Sequence, residues 1–535
     1  MAEAASSEVT RIPGRGRALA AAAMSLVVPG TGQWFAGRRR RALPFLAVSA
    51  VLAVVVVVGA ARGEVFALRL LVQPRWLTAL IVLNVAVGLF RLAASIDAYR
   101  VAAVGTPAGS AVLHGAVAGL LVIVLLVPHV LLGARASRLL ELLDRVFAED
   151  SRITTEELRA RFSTEAARSA GAIPGVTSST TVPGWALFPQ YPDGLPRPVR
   201  TYYGEVADAE IEPIEVDRMT VLLVGGDAGP GRSGLRTDVM ILASFDPVTH
   251  EAVLISISRE LTGFLLPRSL QKPLEWRQDT IWSLAERAEA NGTSRATDPL
   301  PDERDPALWL DRINAIYPFS YTFDWLYPGG VDPGMEALRE TLQRTLGLRI
   351  DFYVLVDFAG FVDVVDAIGG VDVTARESMH VRFSPAKAGE EDTIINILPG
   401  RNHLDGRTAL AYVRNRSDSN DVVRTRRQRC LIREVAAQLD PLTVLFNFDA
   451  IATAIENHTT TNLPLRLLPD LITAVAQLNP SEIGTWAIQG VSSLAPKSDY
   501  HGLPILDVTE TRRQLAAVLA GVDSGTPIVD ADECG

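Results

Sequence analysis

The sequence predicts an α/β domain, with a central mixed β-sheet flanked by helices, behind an N-terminal helical membrane anchor with several spans. Long apolar stretches without charge occupy the first part of the 535-residue chain. Beyond residue 216, short apolar runs end in glycine or polar residues, and segments with apolar residues at helical spacing lie between them. Strands that alternate with helices are typical of a layered α/β domain.

Three uncharged or nearly uncharged stretches are long enough to cross a bilayer, at residues 43–60, 76–96 and 109–133. A spanning helix needs about 20 such residues. A further apolar stretch, 18–36, is broken by Pro29 and lies between two arginine-rich segments. Because basic residues favour the cytoplasmic side, we interpret it as interfacial or re-entrant. Three spans from a cytoplasmic start place the rest of the chain outside the cell; a span at 18–36 would leave it in the cytoplasm.

Periodicity predicts the elements of the α/β domain. Apolar runs bounded by Gly, Asp or Pro predict strands at residues 219–225, 239–245, 252–257, 352–356 and 370–374. Helical spacing predicts helices at residues 334–346, 359–368, 424–439 and 468–478. In the first of these helices, Met335, Leu338, Leu342 and Leu346 fall on one face.

The chain divides into four predicted parts. Residues 1–133 comprise a basic cytoplasmic N-terminus, the interfacial segment and about three transmembrane helices. Residues 134–215 form a helical stalk and a linker rich in Gly, Pro, Ser and Thr. Residues 216–520 form the α/β domain, and residues 521–535 form a flexible tail.

The net charge limits the class of partner, and the two cysteines raise the question of a disulfide. The net charge of −10 argues against nucleic acid. The two cysteines, Cys430 and Cys534, could pair in an oxidising compartment, but nothing in the sequence requires it. We interpret Cys430 as a buried thiol on a helix and Cys534 as a free thiol in the tail.

Acidic and basic residues gather at the ends of predicted strands. Asp227 follows the first strand, Asp238 precedes the second and Arg259 follows the third. Two carboxylates beside a short glycine-rich loop can approach one divalent ion, and magnesium prefers such ligands. Seven arginines are available for phosphate oxygens, at positions 236, 259, 414, 416, 424, 426 and 427. This combination indicates a pyrophosphate site rather than a sugar-hydrolysis site.

Several sequence blocks resemble the LytR–CpsA–Psr family in order and spacing. They are VLLVGGD at residues 221–227, LRTDVMIL at 235–242, LISISRE at 254–260, RINAIY at 312–317, GGVDV at 369–373 and LDGRTALAYVR at 404–414. Asp421, Arg424, Arg427 and Gln428 complete the pattern. The resemblance covers about residues 216–519 of the chain.

The resemblance implies a magnesium-dependent transferase with a hydrophobic pocket for a polyprenyl chain. Its expected activity moves a glycopolymer from a polyprenyl-pyrophosphate carrier to peptidoglycan and forms a phosphodiester in the cell wall, with membrane lipid as a further partner. Asp227 and Asp238 would hold Mg²⁺, and Arg259 and Asp238 would be catalytic. The pyrophosphate would be bound by Arg236, Arg259, Arg414, Arg416, Arg424, Arg427 and Gln428.

The chain departs from the family pattern in four places. Glu260 replaces Asp, Ser258 replaces Pro, Arg312 replaces Lys, and the loop at residues 226–229 lacks some of the polar residues that are common there. Two alternatives stay open: a polyprenyl-pyrophosphate hydrolase with water as acceptor, and a non-catalytic lipid-binding regulatory membrane protein. The sequence leaves open which glycopolymer and acceptor are used, which group is the general base, and the oligomeric state.

Overall fold

The computed structural model describes the chain in segments. The described residues are 14–103, 111–146, 198–201, 204–207, 218–227, 235–246, 249–267, 270–271, 308–309, 311–321, 332–383, 392–415, 421–438, 443, 447–488, 504 and 506–523. The chain divides into two compact units, Met1–Asp144 and Arg145–Gly535.

The first unit is built from helices. They are α1 (Gly14–Val27), α2 (Thr31–Phe35), α3 (Arg39–Ala61), α4 (Glu64–Leu71), α5 (Pro74–Ala102) and α6 (Ala111–Val146). Within the described part of the chain, three helical stretches are long and apolar enough to cross a membrane: α3, α5 and the Gly119–Val146 part of α6. The first two contain the predicted stretches 43–60 and 76–96, and the third overlaps the predicted stretch 109–133 from residue 119 onward.

The apolar stretch 18–36 does not form one helix. A break at residues 28–30 separates α1 from α2, and Gly30 adopts a φ of 104°. α1 has 14 residues, which corresponds to about 21 Å, less than the roughly 30 Å of a hydrocarbon core. The Arg91 Nε of α5 donates to the Leu26 carbonyl near the end of α1 (2.9 Å). This geometry fits an interfacial or re-entrant hairpin, which stays a prediction.

The second unit combines strands and helices. Its strands are β1 (Pro198–Thr201), β2 (Gly204–Ala207), β3 (Met219–Gly226), β4 (Thr237–Phe245), β5 (Ala252–Ser256), β6 (Phe264–Leu265), β7 (Leu308–Trp309), β8 (Phe352–Asp357), β9 (Val371–Ala375), β10 (Met379–Phe383), β11 (Thr393–Ile397), β12 (Gly400–Leu404), β13 (Thr459–Thr461) and β14 (Gly484–Ala487). Its α-helices are α7 (Ile316–Tyr321), α8 (Pro333–Leu346), α9 (Phe358–Ala367), α10 (Gly406–Arg414), α11 (Asp421–Gln438), α12 (Phe448–His458), α13 (Leu468–Ala476) and α14 (Val508–Asp523).

A six-stranded sheet in the order β13-β8-β3-β4-β5-β14 forms the centre of this unit. β3 is parallel to β8 and β5 is parallel to β14, whereas the other neighbours are antiparallel. The sheet is therefore mixed and flanked by helices, as predicted. The predicted strand at residues 370–374 pairs with β12 outside this sheet. The β1–β2 hairpin lies within the segment interpreted as a linker.

The central strands bury both faces of the sheet. In β4, Met240 and Leu242 pack into one hydrophobic cluster, and Ile241 between them packs into another. Successive strand residues point to opposite faces, so this apolar run supplies two cores. All five residues of β5 are buried. This explains why these strands appear in the sequence as continuous apolar runs, without alternation.

Helix α8 has defined signals at both ends. Asp332 is the N-cap, and its side chain accepts from the Met335 backbone N–H (2.9 Å) and from the Tyr317 hydroxyl (2.8 Å). Pro333 occupies the first turn, and Gly347 ends the helix with a φ of 66°. The predicted apolar face of this helix is fully buried.

We expect Asp332→Ala to lower the free energy of unfolding by about 1–2 kcal/mol, because it removes an N-cap together with the acceptor for Tyr317. Asp332→Asn keeps an oxygen for Met335 and should cost less. Thermal unfolding of the detergent-solubilised chain measures both effects, with the exposed Glu377→Ala as the control. Equal melting temperatures for Asp332→Ala and the control would contradict this account of the helix start.

Cys430 is buried within α11, as expected. It is also disulfide-bonded, so its interpretation as an unpaired thiol is wrong. The sequence contains one other cysteine, Cys534, which lies outside the described residues. Pairing depends on the distance between two cysteines in the folded chain, which their sequence separation does not reveal.

Candidate functional site

The polar segments that follow β3, β5 and β8 lie together at the C-terminal ends of these strands, which form one edge of the central sheet. Gly226, the last residue of β3, lies opposite Asp357 at the end of β8 and Thr237 at the start of β4. β5 runs antiparallel to β4, and its last residue, Ser256, pairs with Ile241. The segments that follow β3, β5 and β8 therefore lie along the same edge. This is where α/β proteins usually bind ligands.

A β-bulge sets the position of Asp238. Gly225 pairs with Val239 and Gly226 pairs with Thr237, which leaves Asp238 as the additional residue of β4. A bulge bends the strand locally and redirects a side chain. A Cβ atom on Gly225 would lie only 3.0 Å from the Val239 Cβ. The glycine therefore permits the close approach of the two strands beside Asp238.

Asp227 connects the end of β3 to the start of β4. Its backbone N–H donates to the Arg236 carbonyl (2.9 Å), and its Oδ1 accepts from the Arg236 N–H (2.7 Å). These bonds join the two ends of segment 228–235, and they leave the Arg236 side chain exposed. Asp227 and Asp238 thus flank the glycine-rich segment from neighbouring strands.

Asp238 has two charged or polar neighbours. The Arg259 NH1 donates to its Oδ1 at 2.5 Å, and the Asn314 Nδ2 donates to the same oxygen at 3.2 Å. The Arg259 NH2 lies 3.9 Å from the Glu260 Oε1. The side chains of Arg259 and Asp238 are 16% and 21% exposed, so this ion pair is shielded from water more than an ordinary surface pair.

Arg414 lies at the end of α10. Its guanidinium carbon is 4.2 Å from the centroid of the Phe358 ring, within the range of a cation–π contact. Phe358 directly follows β8. Arg414 therefore reaches the sheet edge at which β3 and β8 end.

The first half of α11 faces the end of α10. The Arg427 NH1 donates to the Asn415 carbonyl (3.5 Å), and its guanidinium lies over the Tyr412 ring. The Gln428 Nε2 donates to the Val413 carbonyl (3.3 Å). Burial raises the pKa of the Tyr412 phenol, and the positive charge of Arg427 opposes this shift. Helix α11 also contacts β4 and β5.

The structure thus brings most of the predicted residues into two groups. Asp227, Asp238 and Arg259 lie along the ends of the central strands, and Arg414, Arg427 and Gln428 lie where α10 and α11 meet. Two further predictions stand differently, because Arg424 is buried in α11 and Arg416 lies outside the described residues. Asn314 was not predicted as a site residue. Its signal in the sequence was a single amide between two apolar residues, in the block at residues 312–317.

The oxygen atoms at this edge suit magnesium. Among the described residues, no group of three or more His, Cys, Asp or Glu side chains could hold a metal ion. Magnesium, however, typically binds through one or two carboxylates together with phosphate and water. Asp227 and Asp238 supply two carboxylates, and the buried Asn314 Oδ1 has no hydrogen-bond partner among the residues that the structure describes. This donor set consists of hard oxygens and fits the ion.

Comparison with known proteins identifies the class of the domain. Residues 302–517 match the model of the LytR_cpsA_psr family. Over these residues the chain is similar to the LytR–CpsA–Psr family, as its sequence blocks in this region indicate.

Individual relatives and solved structures also resemble the chain. The chain is 27% identical over 278 residues to "Polyisoprenyl-teichoic acid--peptidoglycan teichoic acid transferase TagU" of Oceanobacillus iheyensis, which covers 52% of this chain and 68% of that protein. It is 26% identical to "Regulatory protein MsrR" of Staphylococcus aureus over 47% of this chain and 59% of that protein. The crystal structure of B. subtilis TagV aligns with a TM-score of 0.38 and 22% identity over 58% of this chain and 97% of that chain.

Proposed function

We propose that the chain is a phosphotransferase that moves a glycopolymer from a polyprenyl-pyrophosphate carrier to peptidoglycan and forms a phosphodiester. The observation that carries this proposal is the Asp238–Arg259 ion pair, with Asp227 at the end of the neighbouring strand β3, in a chain whose residues 302–517 match the LytR_cpsA_psr family. The name of the TagU relative, a teichoic acid transferase, supports the class of donor and acceptor.

The proposed chemistry needs charge stabilisation more than covalent catalysis. Asp227 and Asp238 would hold Mg²⁺, which neutralises charge on the pyrophosphate. Arg259 is oriented by Asp238, and its buried Nε has no partner within the described ranges, so a phosphate oxygen could accept from it. Arg414 approaches the same edge and can bind further phosphate oxygens through its guanidinium.

The transfer step forms one phosphorus–oxygen bond and breaks another. A sugar hydroxyl of peptidoglycan attacks the phosphorus next to the glycopolymer, and the bond from that phosphorus to the bridging oxygen breaks. Polyprenyl phosphate leaves with the bridging oxygen, and the glycopolymer phosphate becomes a diester. The hydroxyl proton passes to a carboxylate, which we propose is Asp238.

The direct test uses the full-length chain in lipid nanodiscs with a short polyprenyl-pyrophosphate oligosaccharide and peptidoglycan fragments. Mass spectrometry should detect a sugar-phosphate adduct on the fragment with Mg²⁺ and none after chelation. Release of sugar phosphate without an adduct would instead support the hydrolase. Donor binding without turnover would support a lipid-binding regulator.

We further propose that the α/β unit lies outside the cytoplasmic membrane. Three candidate spans follow the arginines at positions 38–41, and an odd number of spans puts the two ends of the anchor on opposite sides. The short helix α1 is not expected to add a span. The disulfide at Cys430 supports the same side, because disulfides persist in oxidising compartments.

Alkylation of intact cells tests this orientation. Without a reductant, Cys430 should resist a thiol reagent, and after an impermeant reductant and denaturation it should react.

Externally added protease should cleave the chain beyond residue 146 and spare an epitope tag at the N-terminus. Protection of the α/β unit from external protease, with cleavage only after lysis, would contradict the orientation.

A further inference from the structure

Asn314, which was not predicted as a site residue, contacts the proposed catalytic carboxylate of Asp238. The residue is 3% exposed, and its Nδ2 lies 3.2 Å from the Asp238 Oδ1. A carboxylate only accepts hydrogen bonds, so the amide nitrogen must face Asp238. The amide oxygen is therefore the atom that does not contact the Asp238 Oδ1, and it is available to another partner.

The backbone around Asn314 is held firmly. Asn314 lies in a short 3₁₀ helix, Ile313–Ala315. The Ile313 N–H donates to the Leu261 carbonyl (3.0 Å), two residues after Arg259. The Trp309 Nε1 donates to the Arg312 carbonyl (2.9 Å), and Trp309 is 1% exposed. A side chain on such a support keeps its position without help from substrate.

Two polar atoms near Asp238 are left incomplete. The Asn314 Oδ1 and the Arg259 Nε are both buried, and neither has a hydrogen-bond partner in the part of the chain that the structure describes. A buried polar group without a partner destabilises the folded chain, because it has lost its hydrogen bonds to water. Both residues donate to the Asp238 Oδ1, and their remaining acceptor and donor are complementary to a cation and to a phosphate oxygen, respectively. The vacant acceptor thus indicates a ligand at this edge of the sheet.

We propose that Asn314 is a positioning residue of the divalent-cation site, with its Nδ2 holding Asp238 in place and its Oδ1 adding a neutral oxygen to the same cation. This inference rests on the proposed function. The cation site then comprises two carboxylates and one amide oxygen from three separate segments, at Asp227, Asp238 and Asn314. A neutral third ligand adds an oxygen without further repulsion between carboxylates.

Titration with Mn²⁺, followed by electron paramagnetic resonance of the free ion, tests this inference on the full-length chain in detergent. Asn314→Leu has a similar volume and no polar atom, and we expect it to weaken Mn²⁺ binding by about tenfold or more. Asn314→Asp retains an oxygen for the cation and should still bind Mn²⁺, although it should transfer more slowly because the donor to Asp238 is lost.

The matched control is Asn462→Leu, because Asn462 is another amide, whose Oδ1 accepts from the Tyr353 N–H (2.8 Å) away from the site. It should bind Mn²⁺ like the unchanged chain. Unchanged binding in Asn314→Leu, or equal loss in Asn314→Leu and Asn314→Asp, would overturn the inference. Near-ultraviolet circular dichroism confirms that each variant is folded.

Mn²⁺ binding by the chain without substitutions tests whether the cation site exists, separately from the role of Asn314. If it binds Mn²⁺ and Asp238→Asn does not, the cation site exists, and the Asn314 variants decide the inference alone. If the unchanged chain does not bind Mn²⁺, the magnesium part of the proposed function fails together with the role of Asn314.

Discussion

Asp238→Asn is expected to slow glycopolymer transfer by about 10²–10³-fold, the loss typical of removing one group that stabilises charge in a transition state. The amide is nearly the same size as the carboxylate, so the bulge in β4 should persist. It carries no charge for Mg²⁺ or for Arg259, whose NH1 lies 2.5 Å from the carboxylate. Initial rates at saturating donor measure the effect.

The control lies near the end of the same strand. Asp246 directly follows β4 at the opposite edge of the sheet, and its Oδ1 accepts from the Thr249 N–H (3.2 Å). Asp246→Asn should leave the transfer rate unchanged. Comparable rates for Asp238→Asn and Asp246→Asn would remove Asp238 from the proposed site.

Arg259→Ala is expected to slow transfer by about 10³-fold or more, because arginines that neutralise a phosphoryl transition state typically contribute about 10³–10⁵ to the rate. Arg259→Lys should lie between this variant and the unchanged chain, since lysine keeps the charge but loses the planar fork. The effect should fall mainly on kcat, because the guanidinium stabilises charge that develops during the reaction.

An exposed arginine provides the comparison. The Arg382 side chain is 82% exposed on β10 and pairs with Asp392. Arg382→Ala should transfer at the normal rate. If Arg259→Ala raised only KM and kept kcat, Arg259 would be a binding residue without a role in the chemical step.

The central strands were predictable because their side chains are apolar on both faces. β3, β4, β5 and β8 lie within one or two residues of their predicted limits. β13 and β14 are the two outermost strands of the sheet. They have 3 and 4 residues, which are too few for a periodic signal. Strand order is a tertiary property, and for this reason the separate pairing of β9 with β12 was not predicted.

The candidate site was predictable in its residue types but not in its geometry. Glycines and charges at strand ends indicated Asp227, Asp238 and Arg259. The β-bulge at Asp238 depends on the register between two strands, which local sequence does not specify. Asn314 reaches Asp238 through contacts between segments that are distant in sequence. The hydrophobic pocket expected for the polyprenyl chain stays a prediction.

The most direct test of phosphodiester transfer is the fate of solvent oxygen. The full-length chain is supplied with donor, peptidoglycan fragments and Mg²⁺ in oxygen-18 water, and the products are analysed by mass spectrometry. We predict a glycopolymer-phosphate-peptidoglycan product without the heavy isotope, because the new oxygen comes from the sugar hydroxyl. Sugar phosphate or polyprenyl phosphate that carries one heavy oxygen, with no joined product, would show that water is the acceptor and would contradict the account.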